Sequence, residues 1–362
     1  MAIGRAIPSP DAAAMDRARA RQAQLTKPAG ALGRLEDLAV QIAGLTGSTR
    51  PGRQRKLVVV FAGDHGIIRE GVSAYPSAVT AQMVRSFVRG TAAVAVLARS
   101  AGARLVVVDV GVAEDFPPDL PIQHRKVRPG TASFVDGPAM ARSEAVAAMH
   151  AGAAVVAERS GEGIDLLALG EMGIGNTTAA AAVAAVLLGA DPAHVVGRGT
   201  GVDDGGLEPK IATVRRGLET NRPDPNDPVG VLATVGGLEI AALAGAMLGA
   251  ATARVPILLD GYIVGVAALA AARLAPKARP YFIAAHRSTE DGHRLVLAAL
   301  GLRPLLELDM RLGEASGAAL ALSVVDAALA THDGMATFAE AGVSGQIEAS
   351  DDAIPGVRVS AR

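Results

Sequence analysis

The chain has 362 residues, half of them hydrophobic but only 2% aromatic, with no Trp and no Cys. The missing cysteines exclude a disulfide framework, a thiolate nucleophile and a cysteine zinc site, and the shortage of rings argues against a base-stacking nucleic-acid platform. Lys and Arg number 35 against 36 Asp and Glu, a net charge of −1, so no broad positive field draws a polyanion.

The length predicts two units, or one large α/β unit with an appendage. Its core is built from Ala, Val, Leu and Ile around 42 Gly. Ser9-Pro10 is expected to cap and open a helix that runs to about Gln24. Leu35, Leu38, Ala39, Ile42 and Leu45 then fall at helical spacing, so the first 50 or so residues form a helical arm. The opening residues lack an unbroken apolar run of the kind a secretory signal needs, and a cytoplasmic protein is expected. From residue 57 short β-branched runs alternate with long Ala/Val/Leu stretches. This predicts an α/β fold, a Rossmann-like, mostly parallel sheet with helices on both faces. The expected strands are Leu57–Phe61, Leu105–Val110, Asp165–Leu169, Val255–Leu259, Tyr281–Ala284 and Leu305–Leu308. Pro-rich loops are expected over Ala113–Arg142 and Arg222–Pro228. The most apolar stretch, Val235–Ala253, carries Glu239 and interior glycines and suits a buried core helix better than a membrane span. The polar tail after Val343 has no periodicity and is expected to be poorly ordered.

Polar residues and glycines follow almost every strand, where ligands of open α/β sheets bind. Gly170-Glu171-Met172-Gly173-Ile174-Gly175-Asn176-Thr177-Thr178 leads into an Ala-rich helix. Its glycines and helix N-terminus suit a phosphate, or equally a capped turn, and it matches neither a Walker A loop nor a dinucleotide fingerprint. Gly199-Thr200-Gly201 with Lys210 forms a second such loop; Lys210, one of only five lysines, is a phosphate contact or an ordinary surface lysine. Glu314, at the start of a helix, either complements the helix dipole or serves as a general acid or base. Asp64-His65 is a proton-transfer pair or a pair of hydrogen-bonded loop residues. Tyr75 and Gln82 could enclose a flat heterocycle, with Met83 and Val84 as core. The seven histidines show no metal-ligand spacing, and no metal or cofactor is expected.

LTKPAGALGRLE (25–36), FAGDHGI (61–67), GVSAYPSAVTAQMV (71–84), GEMGIGNTTAAAAV (170–183), GRGTGVDD (197–204), LDGYIVGVAAL (259–269), AAHRSTEDGH (284–293) and LDMRLGEASGAALAL (308–322) together resemble one family. It is the nicotinate-nucleotide:5,6-dimethylbenzimidazole phosphoribosyltransferases, which make the lower nucleotide of cobalamin. Ala31 stands where that family has Ser, and nothing after Gly345 matches it. The resemblance implies that nicotinate mononucleotide and a benzimidazole yield α-ribazole 5′-phosphate and nicotinate, with inversion at the sugar carbon. It implies Glu314 as general base and Glu171 as a second acidic group. Gly173, Lys210 and Ser288 would hold the phosphate, with Gly175, Asn176, Thr200, Gly201, Gly261 and Gly313 beside the substrate. Asp260 would serve the ribose region, and Tyr75 and Gln82 would line the benzimidazole pocket. It further implies a homodimer without nucleic-acid or membrane partners. Residues 1–50 and 311–362, the latter a helix and polar tail, would form a small domain beside a large α/β domain over 51–310. The rivals are phosphoribosyl transfer to another azole or purine-like base, and a nucleotide-binding regulator without turnover.

Overall fold

The computed structural model describes residues 7–52, 54–199, 201 and 204–345. Helices α1 (Ala12–Gln24) and α2 (Arg34–Thr46) precede strand β1 (Lys56–Gly63). Then come α3 (Ala78–Arg89), α4 (Ala93–Ser100), β2 (Arg104–Gly111), β3 (Gln123–His124), α5 (Arg142–Gly161) and β4 (Leu166–Met172). Next are α6 (Asn176–Leu188), α7 (Asp204–Asn221), α8 (Pro228–Val235), α9 (Leu238–Thr252), β5 (Ile257–Leu259) and α10 (Tyr262–Leu274). The described chain ends with β6 (Phe282–Ala284), α11 (Asp291–Leu300), α12 (Ser316–Gly334) and α13 (Phe338–Ala341). The strands form one parallel sheet ordered β3-β2-β1-β4-β5-β6.

The sheet is buried on both faces because its two central strands are almost continuously apolar, with Lys56 at the start of β1 and Glu171 near the end of β4 as the charged exceptions. Leu57, Val59 and Phe61 pack with α5, α6, α8, α9 and α10, whereas Val58, Val60 and Ala62 face the cluster that holds α2, α3, α4 and α12. This period of two within a continuous apolar run is what a doubly covered parallel sheet requires. On the first face α5 and α9 cross closely. A side-chain carbon at Gly152 would overlap the carbonyl oxygen of Ala242, and one at Gly245 that of Met149.

The first and last described helical segments meet. His332 of α12 bonds Gln22 of α1 through Nδ1 at 2.8 Å and the Thr49 carbonyl through Nε2 at 2.8 Å. Arg21 donates to the His332 carbonyl at 2.8 Å, and Leu25 bridges Thr337. Among the described residues no helix is long and apolar enough to cross a membrane.

Three sequence expectations change. The first helix is capped by Asp11, whose carboxylate accepts the Ala14 N–H at 2.9 Å; an acidic cap two residues further on displaces Ser9. Leu305–Leu308 is no strand: only Leu306 bridges, to His286, because β6 is too short to carry a longer partner. Strand β3 lies inside the Pro-rich stretch, as a two-residue edge that local pattern cannot reveal. The polar tail from residue 346 lies outside the described residues.

Candidate active site

The sheet reverses direction of growth between β1 and β4, the switch point at which such sheets open a crevice. A cleft lies there, lined by Glu171, Asn176, Gly261, His286, Ser288 and Glu314, with further residues from the loops around them. Each strand end contributes. Strand β4 runs into Glu171 and the glycine turn, with Gly175 at φ 95° as the cap of α6. Only a residue without Cβ takes that conformation freely. The Ile174 N–H donates to Thr80 Oγ1 at 3.1 Å, which ties the turn to α3.

Glu314 sits on an unusual backbone. Gly313, Glu314 and Ala315 have φ of 82°, 63° and 66°, so two residues with side chains are held in the left-handed region. Such conformations persist only where surrounding structure enforces them and concentrate at functional sites. Here the enforcing group is Asp260, at the end of β5. Its carboxylate accepts the Ala315 N–H at 3.1 Å and the Ala318 N–H at 2.9 Å, and so caps α12 from another segment. Glu314 is 6% exposed, and burial, reinforced by the Asp260 charge, pushes its carboxyl up to about 7. Glu171 is pushed up to about 8, first by burial and then by Asp260. Asn176 Nδ2 donates to Glu171 Oε2 and partly offsets this rise. The two acids are close: a side-chain carbon at Gly313 would come within 2.5 Å of Glu171 Oε1. Two carboxyls raised to neutrality in one cleft can store, take or give a proton at physiological pH.

Lys210, on α7, is 1% exposed and donates to Thr177 Oγ1 and the Gly197 carbonyl, both at 2.9 Å. Its place is therefore behind the cleft lining, not the surface, and burial pulls its ammonium down to about 8. The carboxylate of Glu290 faces it and works against that fall, while burial raises Glu290 itself. His293 Nδ1 accepts the Ser288 N–H at 2.9 Å, which fixes the Ser288 loop; burial holds His293 down to about 3.

Half of the site residues singled out by sequence meet here: Glu171, Gly173, Asn176, Gly261, Ser288, Gly313 and Glu314 line the cleft. Gly175 and Lys210 stand immediately behind that lining. Asp260 lies beneath it, with both carboxylate oxygens occupied as a helix cap. Tyr75, 50% exposed, and Gln82, also exposed, lie outside the lining in this single chain. Gly201 is an exposed turn residue, and Thr200 lies outside the described residues. Asp64 and His65 are not partners of each other. Asp64 Oδ2 accepts the Ala113 N–H at 2.8 Å, and His65 Nε2 bonds Glu239 Oε1 at 2.7 Å, deep beneath Gly173. Burial opposes a charge on His65, but Glu239 outweighs it and the imidazole is raised. Sequence reasoning missed Thr177, His286, Glu290 and Arg311, which lie in the cleft wall. Their signals were membership of the matching blocks at 170–183, 284–293 and 308–322 and, for Thr177, His286 and Arg311, a place in the polar loops expected after the strands. Among the described residues no group of three or more His, Asp or Glu is arranged to hold a metal ion.

A parallel α/β sheet with glycine turns, a buried lysine and paired acids at its carboxyl edge has the arrangement of an enzyme active site for a small ligand. The phosphoribosyltransferase family model matches residues 7–343, and the chain belongs to that family. It is 56% identical over 346 residues to a nicotinate-nucleotide–dimethylbenzimidazole phosphoribosyltransferase of Roseiflexus sp. (strain RS-1), covering 96% of this chain and 98% of that protein. It is 54% identical over 330 residues to the enzyme of that name from Chloroflexus aurantiacus (strain ATCC 29366 / DSM 635 / J-10-fl), covering 91% and 94%. The crystal structure of CobT from Thermus thermophilus superimposes with a TM-score of 0.88 at 50% identity, covering 92% of this chain and 99% of that one.

Proposed function

We propose that the protein transfers the phosphoribosyl group of nicotinate mononucleotide to 5,6-dimethylbenzimidazole, giving α-ribazole 5′-phosphate and nicotinate for cobalamin assembly. The observation that carries this reading is the meeting of Glu314 and Glu171 in one cleft, with a buried Lys210 behind its lining bonded to Thr177. The names and high identity of the relatives support it.

One benzimidazole nitrogen attacks the sugar carbon from the face opposite nicotinate. The carbon–nitrogen bond to nicotinate breaks, and its electron pair neutralises the pyridinium. Glu314 takes the proton from the other benzimidazole nitrogen, and its raised affinity for protons makes it a stronger base than an exposed carboxylate. Glu171 faces the same space and, when ionised, stabilises the oxocarbenium-like sugar. Gly173, the α6 N-terminus, Lys210 and Ser288 receive the phosphate. Gly175, Asn176, Thr200, Gly201, Gly261 and Gly313 frame the nucleotide, and Asp260 acts on the ribose region through the backbone it caps. Tyr75 and Gln82 serve the benzimidazole end. We also read the protein as a cytoplasmic homodimer. Residues 1–50 and 311–362 form its small domain, beside a large domain over 51–310; the junction through His332 supports that grouping.

The test supplies purified protein with nicotinate mononucleotide and dimethylbenzimidazole. Coupled appearance of nicotinate and α-ribazole 5′-phosphate is expected; no nicotinate at any pH from neutral to mildly alkaline would overturn the reaction, and turnover only with another base would replace the acceptor.

A further inference from the structure

His286 follows β6 by two residues and lines the cleft. It is 1% exposed, yet neither Nδ1 nor Nε2 has a hydrogen-bond partner among the described residues. The other buried histidines each commit at least one nitrogen: His65 to Glu239, His293 to the Ser288 N–H, and His332 to both Gln22 and Thr49. The nearest acid to His286 is Asp260, with Oδ1 3.6 Å from Nε2, beyond a hydrogen bond. The Asp260 carboxylate is in any case committed to the start of α12.

The fold makes room for this ring. A side-chain carbon at Gly317, in the first turn of α12, would overlap the imidazole, and one at Gly261, the cap of α10, would touch Nε2 at 3.4 Å. The start of α12 is thus cut back to seat a polar ring that nothing among the described residues satisfies. Buried polar groups without partners are rare in native proteins, and each calls for an explanation.

We propose that His286 is a substrate-contacting residue whose imidazole hydrogen-bonds a ribose hydroxyl of the bound nucleotide; this rests on the phosphoribosyl transfer proposed above. Its position selects the ribose. In the reaction proposed above Ser288, two residues away, holds the phosphate, and Gly317, against the ring, lies three residues beyond Glu314, the proposed base. The sugar ring spans the gap between those two groups. A hydroxyl both donates and accepts, as an imidazole does, so the pair is satisfied in either sense.

The test is a cycle between side chain and hydroxyl. Affinity for nicotinate mononucleotide and for its 2′-deoxy and 3′-deoxy analogues is measured by calorimetry, with wild type, His286→Gln and His286→Asn; nicotinate release is followed in parallel. Wild type should prefer the ribosyl ligand to one of the deoxy analogues by about tenfold or more, and the variants should lose most of that preference. Equal weakening of all three ligands would overturn the hydroxyl contact. Absence of turnover in wild type, with selective binding retained, would sink the reaction but not the contact. Should both variants fail to fold, wild type carrying 15N-labelled histidine decides. A His286 ring-nitrogen signal that moves on saturation with the nucleotide but not with the matching deoxy analogue supports the contact, and an unmoved signal overturns it.

Discussion

The α5–α9 seam and the cleft at the carboxyl edge both depend on glycine, but for opposite ends. In the seam, Gly152, Gly245 and Gly249 bring two helices into backbone contact, with the peptide groups of the helix interiors already bonded along each helix. No polar side chain lies among the buried residues of either helix, except Glu239 at the very start of α9. In the cleft, glycine supplies left-handed backbone at Gly175 and Gly313, and the space it opens is filled by carboxyls, an ammonium and an imidazole that burial disfavours. The seam stabilises the fold; the cleft consumes part of that stability to hold groups whose proton affinities are moved toward neutrality.

Four changes probe this contrast. Glu314→Gln should lower kcat by about a thousandfold, within the usual range for a lost general base, while nucleotide affinity stays within a few-fold. Its melting temperature at about pH 8 should equal or exceed that of wild type. A raised carboxyl contributes stability below the unfolded value of about 4.5 and loses it as pH rises through about 7, so at about pH 8 wild type bears a burden the amide lacks. Unchanged turnover would remove Glu314 from the chemistry. Gly245→Val should destabilise by about 3 kcal/mol, since the seam has no room for a side chain, and lower the melting temperature by several degrees. The protein that remains folded should keep its kcat; an unshifted melting curve would show the seam to be loose. Gly313→Ala should cost about 1 kcal/mol of stability, because φ is 82°, and reduce kcat/KM about tenfold by crowding Glu171 Oε1. A stability loss with full activity would uncouple that turn from the acids. Smallest in amplitude is the pH profile of kcat/KM. It should rise toward about pH 7 as Glu314 ionises and fall above about 8 as Lys210 loses the proton that attracts phosphate. Glu171→Gln should retain the alkaline limb; its disappearance would assign that limb to Glu171.

Much of the fold was legible because its signals are local. The runs at 57–61, 105–110 and 166–169 each pair as a parallel strand, Asp165 falling just outside β4, and Leu38, Ala39 and Ile42 do form the inner face of a helix. The glycine turn before α6 was legible for the same reason, since Gly175 must adopt a conformation open to few other residues. Leu305–Leu308 misled because a Leu-rich run becomes a strand only where a partner edge is long enough to pair with it. His65 could not be matched with Glu239, 174 positions away, and the free nitrogens of His286 left no trace in spacing.

By itself the sequence determined a parallel α/β sheet, the loops that would carry polar groups, and glycine where the backbone turns left-handed, since periodicity and dihedral preference act over a few residues. Only the tertiary structure decided what those polar groups became. It turned Asp260 into a cap for α12, drew Lys210 inside, left Tyr75 half exposed, and raised Glu171 and Glu314 together. Burial and charge coupling are sums over segments far apart in the chain, and they take a value only once the sheet has brought those segments to one edge.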